Sequence, residues 1–137
     1  MIPIDFTGKT AVITGAASGM GRTASQELVR LGAKVVMCDI NGETLEKAAA
    51  EINAGGEPKA FACVTDVRKY VDAERAAALA VEKTGRIDLL IPFAGGWEPR
   101  MLNIFKPFEE QPVDMLDWGI QVNLMGPIYF ARACMPQ

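Results

Sequence analysis

Thr10-Ala-Val-Ile-Thr14 runs directly into Gly15-Ala-Ala-Ser-Gly19-Met-Gly21, and Lys34-Val-Val-Met-Cys-Asp39 follows one helix-length later. The first five residues are apolar or β-branched without alternation, as a strand buried on both faces must be. The three glycines sit where the chain turns from that strand into a helix, the context in which such a pattern carries meaning. Backbone can come close to a pyrophosphate there, because no Cβ blocks the approach. A helix starting at Gly19 offers unpaired N–H groups and its positive dipole end to phosphates. Met20, Ala24, Leu28 and Leu31 share one face of that helix, and Gly32 supplies its stop. Asp39 closes the second strand ~24 residues after Gly15, near the ~20 expected of an acid that holds a ribose 2′-hydroxyl. A carboxylate at that place accepts from a diol and repels a 2′-phosphate. Neither Ser18 nor Ile40 brings a positive charge, so the pattern points to NAD rather than NADP. Two plainer readings stand beside it: glycines that serve only a tight strand–helix turn, and a surface Asp39 that opens the turn Asn41-Gly42.

The alternation continues. Glu43 to Asn53 reads as a helix ended by Gly55-Gly56, Ala60 to Val64 as a third strand, Val71 to Lys83 as a helix ended by Gly85, and Arg86 to Ile91 as a fourth strand. The alanine run within Arg75 to Ala80 reads as helix propensity alone. Strands separated by helices predict an α/β fold: a doubly wound, parallel, Rossmann-type half-sheet of order 3-2-1-4 with helices on both faces, one domain over residues 1–137. A ligand site is expected at the carboxyl ends of strands one and four, where the winding reverses. After Gly95-Gly96 the regularity lapses until about Pro112, in a stretch carrying Trp97, Phe105 and Phe108. It reads equally as a substrate loop or lid and as an apolar cover over the open sheet edge. Asp114 is expected to cap a last helix from Met115 to about Ala133, apolar nearly all round and so wanting burial on both sides. Gly126-Pro127 in its middle predicts a kink.

Composition narrows the classes. Half of the 137 residues are hydrophobic and 23% charged, the make-up of an ordinary globular domain. A net charge of −3 leaves no basic footprint for nucleic acid or an anionic membrane. No apolar run approaches the ~18 residues of a membrane span, and Met1 to Thr10, with Asp5 before Lys9, has no apolar signal region. Cys38, Cys63 and Cys134 lack metal spacing and read as reduced, mostly buried thiols of a cytoplasmic protein; histidine is absent, and no metal is expected.

The chain resembles the short-chain dehydrogenase/reductase family. Thr14 to Gly21 matches its T-G-x-x-x-G-x-G cofactor loop, Cys63-Val-Thr-Asp66-Val67 its acid after strand three, Ile91-Pro-Phe-Ala94-Gly95 its N-N-A-G segment, and Val122-Asn123-Leu-Met-Gly126 its V-N-L-x-G helix. The resemblance implies that the loop residues Gly15, Ala17, Ser18, Gly19, Met20 and Gly21 hold the dinucleotide. Asp39 and Ile40 would lie at its ribose, Asp66 and Val67 at the adenine, and Ala94 and Gly95 beside them. It also assigns Asn123 to a catalytic tetrad. Two departures stand out. Pro92-Phe93 replaces both asparagines of N-N-A-G, and the family's catalytic Ser and Tyr-x-x-x-Lys have no counterpart in these 137 residues: Tyr70 is followed four residues on by Glu74, and Tyr129 by Ala133. Without those partners Asn123 reads as a structural amide at the helix kink, bonding a carbonyl freed near Pro127.

Three functions follow from these residues. The first is the NAD(H)-binding portion of a dehydrogenase of secondary alcohols and ketones, incomplete relative to the family and inactive alone. The second is a non-catalytic dinucleotide-binding or subunit-partner module, and the third a structural piece with no occupied site. The resemblance also places the last helix in a subunit contact, so a homo-oligomer through that helix and the open sheet edge is expected.

Overall fold

The structure, a computed structural model, describes residues 4–137; the first three residues of the N-terminal stretch read above lie outside it. Four parallel strands, β1 (Thr10–Thr14), β2 (Lys34–Asp39), β3 (Ala60–Val64) and β4 (Leu89–Pro92), form one sheet in the order β3-β2-β1-β4, as the alternation predicts. β1 is fully buried because it has a strand on each side and a helical layer on each face. Successive side chains on a strand point to opposite faces, and the two layers sort accordingly. Ala11, Ile13, Val35 and Met37 pack toward α1 (Gly19–Arg30) and α2 (Gly42–Ile52). Val12, Val36, Cys38 and Cys63 pack toward α3 (Tyr70–Thr84) and a helix at the C-terminal end.

The alanines of α3 do more than favour a helix. Ala73, Ala76, Ala77 and Ala80 recur at helical spacing and are buried, a shaved face that lets α3 lie close against Phe130 and Ala133.

β4 begins three residues later than its sequence suggests. Asp88 marks the difference: its N–H donates to the Thr10 carbonyl and its carboxylate accepts the Thr10 N–H, both at 2.9 Å, and pairs with Lys9 and Arg86, so a side chain takes the Thr10 donor that a backbone carbonyl would meet in a longer ladder. Burial works against ionisation of that carboxylate, but Arg86, the Thr10 N–H and Lys9 outweigh it and hold the group down at about 2.

Beyond β4 the chain is more ordered than expected. Glu98–Leu102 forms a short helix, α4, and Phe108–Glu110 a single 3₁₀ turn. Trp97, Phe105 and Phe108 remain exposed, with Trp97 edge-on to Phe105 at 6.0 Å, so they do not cover the sheet edge. The final helix starts at Val113 behind Pro112, which places Asp114 in its first turn rather than at the cap. It runs as α5 (Val113–Ile120), a π turn (Gln121–Met125) and α6 (Gly126–Cys134). The π turn is how the helix absorbs Pro127. The Gly126 N–H donates to the Gln121 carbonyl, one residue further back than in an α-helix, and the wider turn relieves the clash a proline ring makes with the preceding turn. Burial is one-sided here: Met115, Val122 and Phe130 face inward, while Ile120, Leu124 and Ile128 are about half exposed.

Two outcomes test this packing. Phe130→Ala, which empties a fully buried site between α6 and α3, should lower unfolding free energy by about 3–5 kcal/mol in urea titration. Asp88 titrates lower when folded than its ordinary 3.8, so its contribution is present above pH 3.8 and lost as pH falls toward 2. The urea midpoint should therefore drop over that interval, and less steeply in Asp88→Asn.

Candidate functional site

The carboxyl ends of the four strands open into a cleft of about 340 Å³. Its base is the turn from β1 into α1. Gly15 has φ +67°, and a Cβ there would lie 2.8 Å from the Ala94 nitrogen and 2.9 Å from the Phe93 carbonyl carbon. A Cβ on Gly21 would overlap the Gly15 carbonyl, so the helix can start against the strand only with glycine at both places. Gly19, at φ +52°, has nothing within 4 Å of where its Cβ would be; the conformation favours glycine and the space beyond is open.

Ser18 precedes α1 in an extended conformation, its side chain makes no capping hydrogen bond, and no acidic residue stands in the first turn. The first N–H groups of a 12-residue helix thus meet the cleft without a side-chain acceptor or an offsetting negative charge. This is a cradle for an anion. A dinucleotide pyrophosphate fits it both in charge and in the room that the missing Cβ atoms leave.

Asp39 ends β2 at the cleft. Its Oδ2 accepts the Ala17 N–H at 3.1 Å and its Oδ1 the Asn41 N–H at 3.0 Å, so the carboxylate braces the glycine loop and starts the next turn together. Each oxygen keeps a lone pair for a further donor. The plainer sequence reading of Asp39, as the residue that opens the turn at Asn41, describes part of what it does. Ile40 beside it is exposed on the rim.

After β3, Asp66 and Val67 reach the cleft with Thr65, which the sequence did not single out. Asp66 is already held: Arg68 donates to its two oxygens at 2.9 and 2.7 Å. That guanidinium, against the opposing effect of burial, lowers the Asp66 carboxyl below its ordinary range. An adenine amino group would have to share this carboxylate with Arg68, a partner that residue spacing alone did not reveal.

After β4, Ala94 and Gly95 line the cleft with Phe93. The two asparagines absent at Pro92-Phe93 have a substitute in Thr14. Its carbonyl accepts the Phe93 N–H at 3.2 Å and its hydroxyl the Ala94 N–H at 3.1 Å. Asn123 is not at the cleft surface, nor does it bond a carbonyl near Pro127 as its sequence position suggests. Its Oδ1 accepts the Gly96 N–H and its Nδ2 donates to the Gly96 carbonyl, both at 2.9 Å. The π turn exposes this amide and the two-point clamp fixes the loop behind β4, which makes Asn123 a positioning residue. Met101, Trp118 and Val122 complete an apolar wall that only the folded α4, α5 and π turn bring near.

Of the expected cofactor residues, Gly15, Ser18, Met20, Gly21, Asp39, Ile40, Asp66, Val67, Ala94 and Gly95 come together in the cleft. Ala17 lies beneath it, bonded to Asp39, and Gly19 sits at the open turn. Both tyrosines are elsewhere. Tyr70 and Tyr129 meet edge to face at 5.7 Å against the α3–α6 layer, with Arg132 over the Tyr70 ring.

A family model described as short chain dehydrogenase matches residues 9–137. A short chain dehydrogenase/reductase of Macrophomina phaseolina is 31% identical over 131 residues, 96% of this chain and 72% of that protein. The cis-2,3-dihydrobiphenyl-2,3-diol dehydrogenase of Paraburkholderia xenovorans is 36% identical over 129 residues, 94% of this chain. The chain spans 45% of that relative's length. Among solved structures, a hydroxysteroid dehydrogenase from Escherichia coli superposes with a TM-score of 0.84 at 30% identity, over 97% of this chain and 53% of that one. A short-chain dehydrogenase/reductase, glucose/ribitol dehydrogenase, from Brucella melitensis superposes with a TM-score of 0.87 at 31% identity, over 98% of this chain and 54% of that one. Among the described residues no helix is long and apolar enough to cross a membrane.

The clamp has a direct readout. Asn123→Ala leaves the Gly96 N–H without its acceptor, so its amide hydrogen exchange should quicken by at least about tenfold while amides of β1 keep their protection. Equal protection of Gly96 in both proteins would remove the positioning role.

Proposed function

We propose, since the chain belongs to the short chain dehydrogenase family, that its 137 residues form the NAD(H)-holding portion of an oxidoreductase acting on a secondary alcohol or ketone. The observation that carries this reading is the uncapped N-terminus of α1 opening on the cleft beside the Asp39 carboxylate. The N–H groups of the first turn would bind the pyrophosphate, and Asp39 would accept hydrogen bonds from the adenosine ribose while still bracing Ala17. Asp39 also repels a 2′-phosphate. Arg22, a cation near this end of α1, is paired with Glu51 on α2, which supports NAD over NADP. A bound nicotinamide supplies a carbon that accepts or donates hydride.

The residues of this chain hold and orient; they do not move the proton. Neither tyrosine has a lysine four residues on, and both are packed on the α3–α6 side. Asn123 would act through Gly96 by holding the loop behind β4 in place. The 137-residue chain should therefore bind cofactor and form no NADH from a secondary alcohol. The free thiols, all buried, suit the reducing cytoplasm.

A specific observation favours self-association as well. Ile120, Leu124 and Ile128 recur every fourth residue on the exposed side of α5, the π turn and α6, an apolar stripe that suits contact with a second copy.

Calorimetric titration tests the main reading. NAD⁺ should bind in preference to NADP⁺, and Asp39→Ala should weaken NAD⁺ by about 10–100-fold and erase the preference, as expected for a hydrogen bond to a charged group. Absence of binding by either cofactor would overturn it.

A further inference from the structure

Cys38 and Cys63 are direct partners in the β2–β3 register, and both side chains enter the layer under α3. Paired strands lie about 4.7–4.9 Å apart, inside the ~4.4–6.8 Å Cα separation that a disulfide spans. Among the described residues β3 is an edge strand with no strand on its far side, so it can adjust toward β2. The two thiols differ in surroundings. Cys38 is fully enclosed, whereas Cys63 reaches a surface groove of about 480 Å³ formed with Val64, Arg75 and Leu79. Arg75, anchored by Asp72 and the Val64 carbonyl, turns its guanidinium toward the Cys63 sulfur. We propose that Cys63 is a site of hydroperoxide oxidation, with Cys38 as the thiol that resolves the product into an intramolecular β2–β3 disulfide.

The chemistry balances. The Cys63 thiolate attacks one oxygen of hydrogen peroxide, the O–O bond breaks, and the sulfur becomes a sulfenic acid as hydroxide leaves and takes up a proton. The Cys38 sulfur then attacks the Cys63 sulfur, the S–S bond forms, and the sulfenic hydroxyl departs as water with the Cys38 proton. Two thiols are oxidised and one peroxide is reduced to two waters. Hydrogen bonding from Cys38, with the nearby Arg75, lowers the Cys63 thiol, while its sulfur partner and burial raise that of Cys38, so the attacking and resolving roles fall in this order. Cys134 approaches the same layer from α6, and burial alone raises it to about 11, which makes it a poor nucleophile. Among the described residues these thiols are not part of any group of three or more potential metal ligands, so metal binding does not compete as an explanation.

The test is a peroxide titration of the folded chain, quenched with iodoacetamide and mapped by mass spectrometry without reduction. The expected product is a Cys38–Cys63 linked peptide lighter by two hydrogens, with Cys134 alkylated as a free thiol. In Cys38→Ser, dimedone present during oxidation should mark Cys63, and Arg75→Ala should slow its labelling by about tenfold as the thiolate fraction falls. A disulfide that includes Cys134, one that only joins two chains, or three unmodified thiols where free glutathione is fully oxidised would overturn the proposal, and the wild-type map alone distinguishes these outcomes.

Discussion

The contact on which the rest of this molecule depends is the crossing of backbone at the end of β1. Gly21 sits on the Gly15 carbonyl, and Gly15 in turn lies against the backbone of Phe93 and Ala94. Three pieces of main chain from a helix, a central strand and an edge strand meet there without intervening side chains. Such an approach fixes the angle at which α1 leaves the sheet and aims its N-terminus into the gap between β1 and β4. The cleft exists because packing is closest just beneath it. Burial of β1 under two helical layers makes that geometry stiff, since neither neighbour can move without disturbing the other.

Polar ties then convert a gap into a shaped site. Thr14 holds the loop after β4 through its carbonyl and hydroxyl, Asp39 holds the loop after β1, and Asn123 holds Gly96 from the other side. These ties meet backbone groups beyond the ends of β1 and β4, where the ladder runs out and amides would otherwise need water. The loops that bear on the cleft are therefore fastened to rigid elements. The same logic explains Asp88, which finishes β1 at its opposite end.

The sheet was legible because parallel strands are buried on both faces, which leaves uninterrupted apolar runs with sharp ends. β1, β2 and β3 fall within the predicted limits, and their order follows from the glycine loop and the strand–helix alternation. What escaped the sequence depends on partners distant along the chain. The Asp88 carboxylate takes the Thr10 N–H at the start of β4, and the Glu98 side chain at the start of α4 lies against Gly119, which leaves room for it. The alanine face of α3 carried a readable spacing, 73, 76, 77, 80, that composition masked. Within the site, glycine and strand-end positions were readable because backbone geometry dictates them. The Arg68 grip on Asp66 and the Asn123 clamp on Gly96 were not, since both turn on side-chain direction after folding.

The π turn has a consequence for how this helix tolerates change in length. Its buried positions Met115, Gly119, Val122, Gly126, Phe130 and Ala133 span 18 residues in five steps, so one face stays buried from α5 through α6. The wider ring holds about one residue more than an α turn while the helix beyond it keeps its direction. Deleting one residue from the ring should therefore close regular hydrogen bonds and leave Phe130 against α3 and Ile128 outward. The same deletion between Pro127 and Phe130, in regular helix, would instead rotate everything beyond it by about 100°. Tolerance to a change in length is thus concentrated in these five residues.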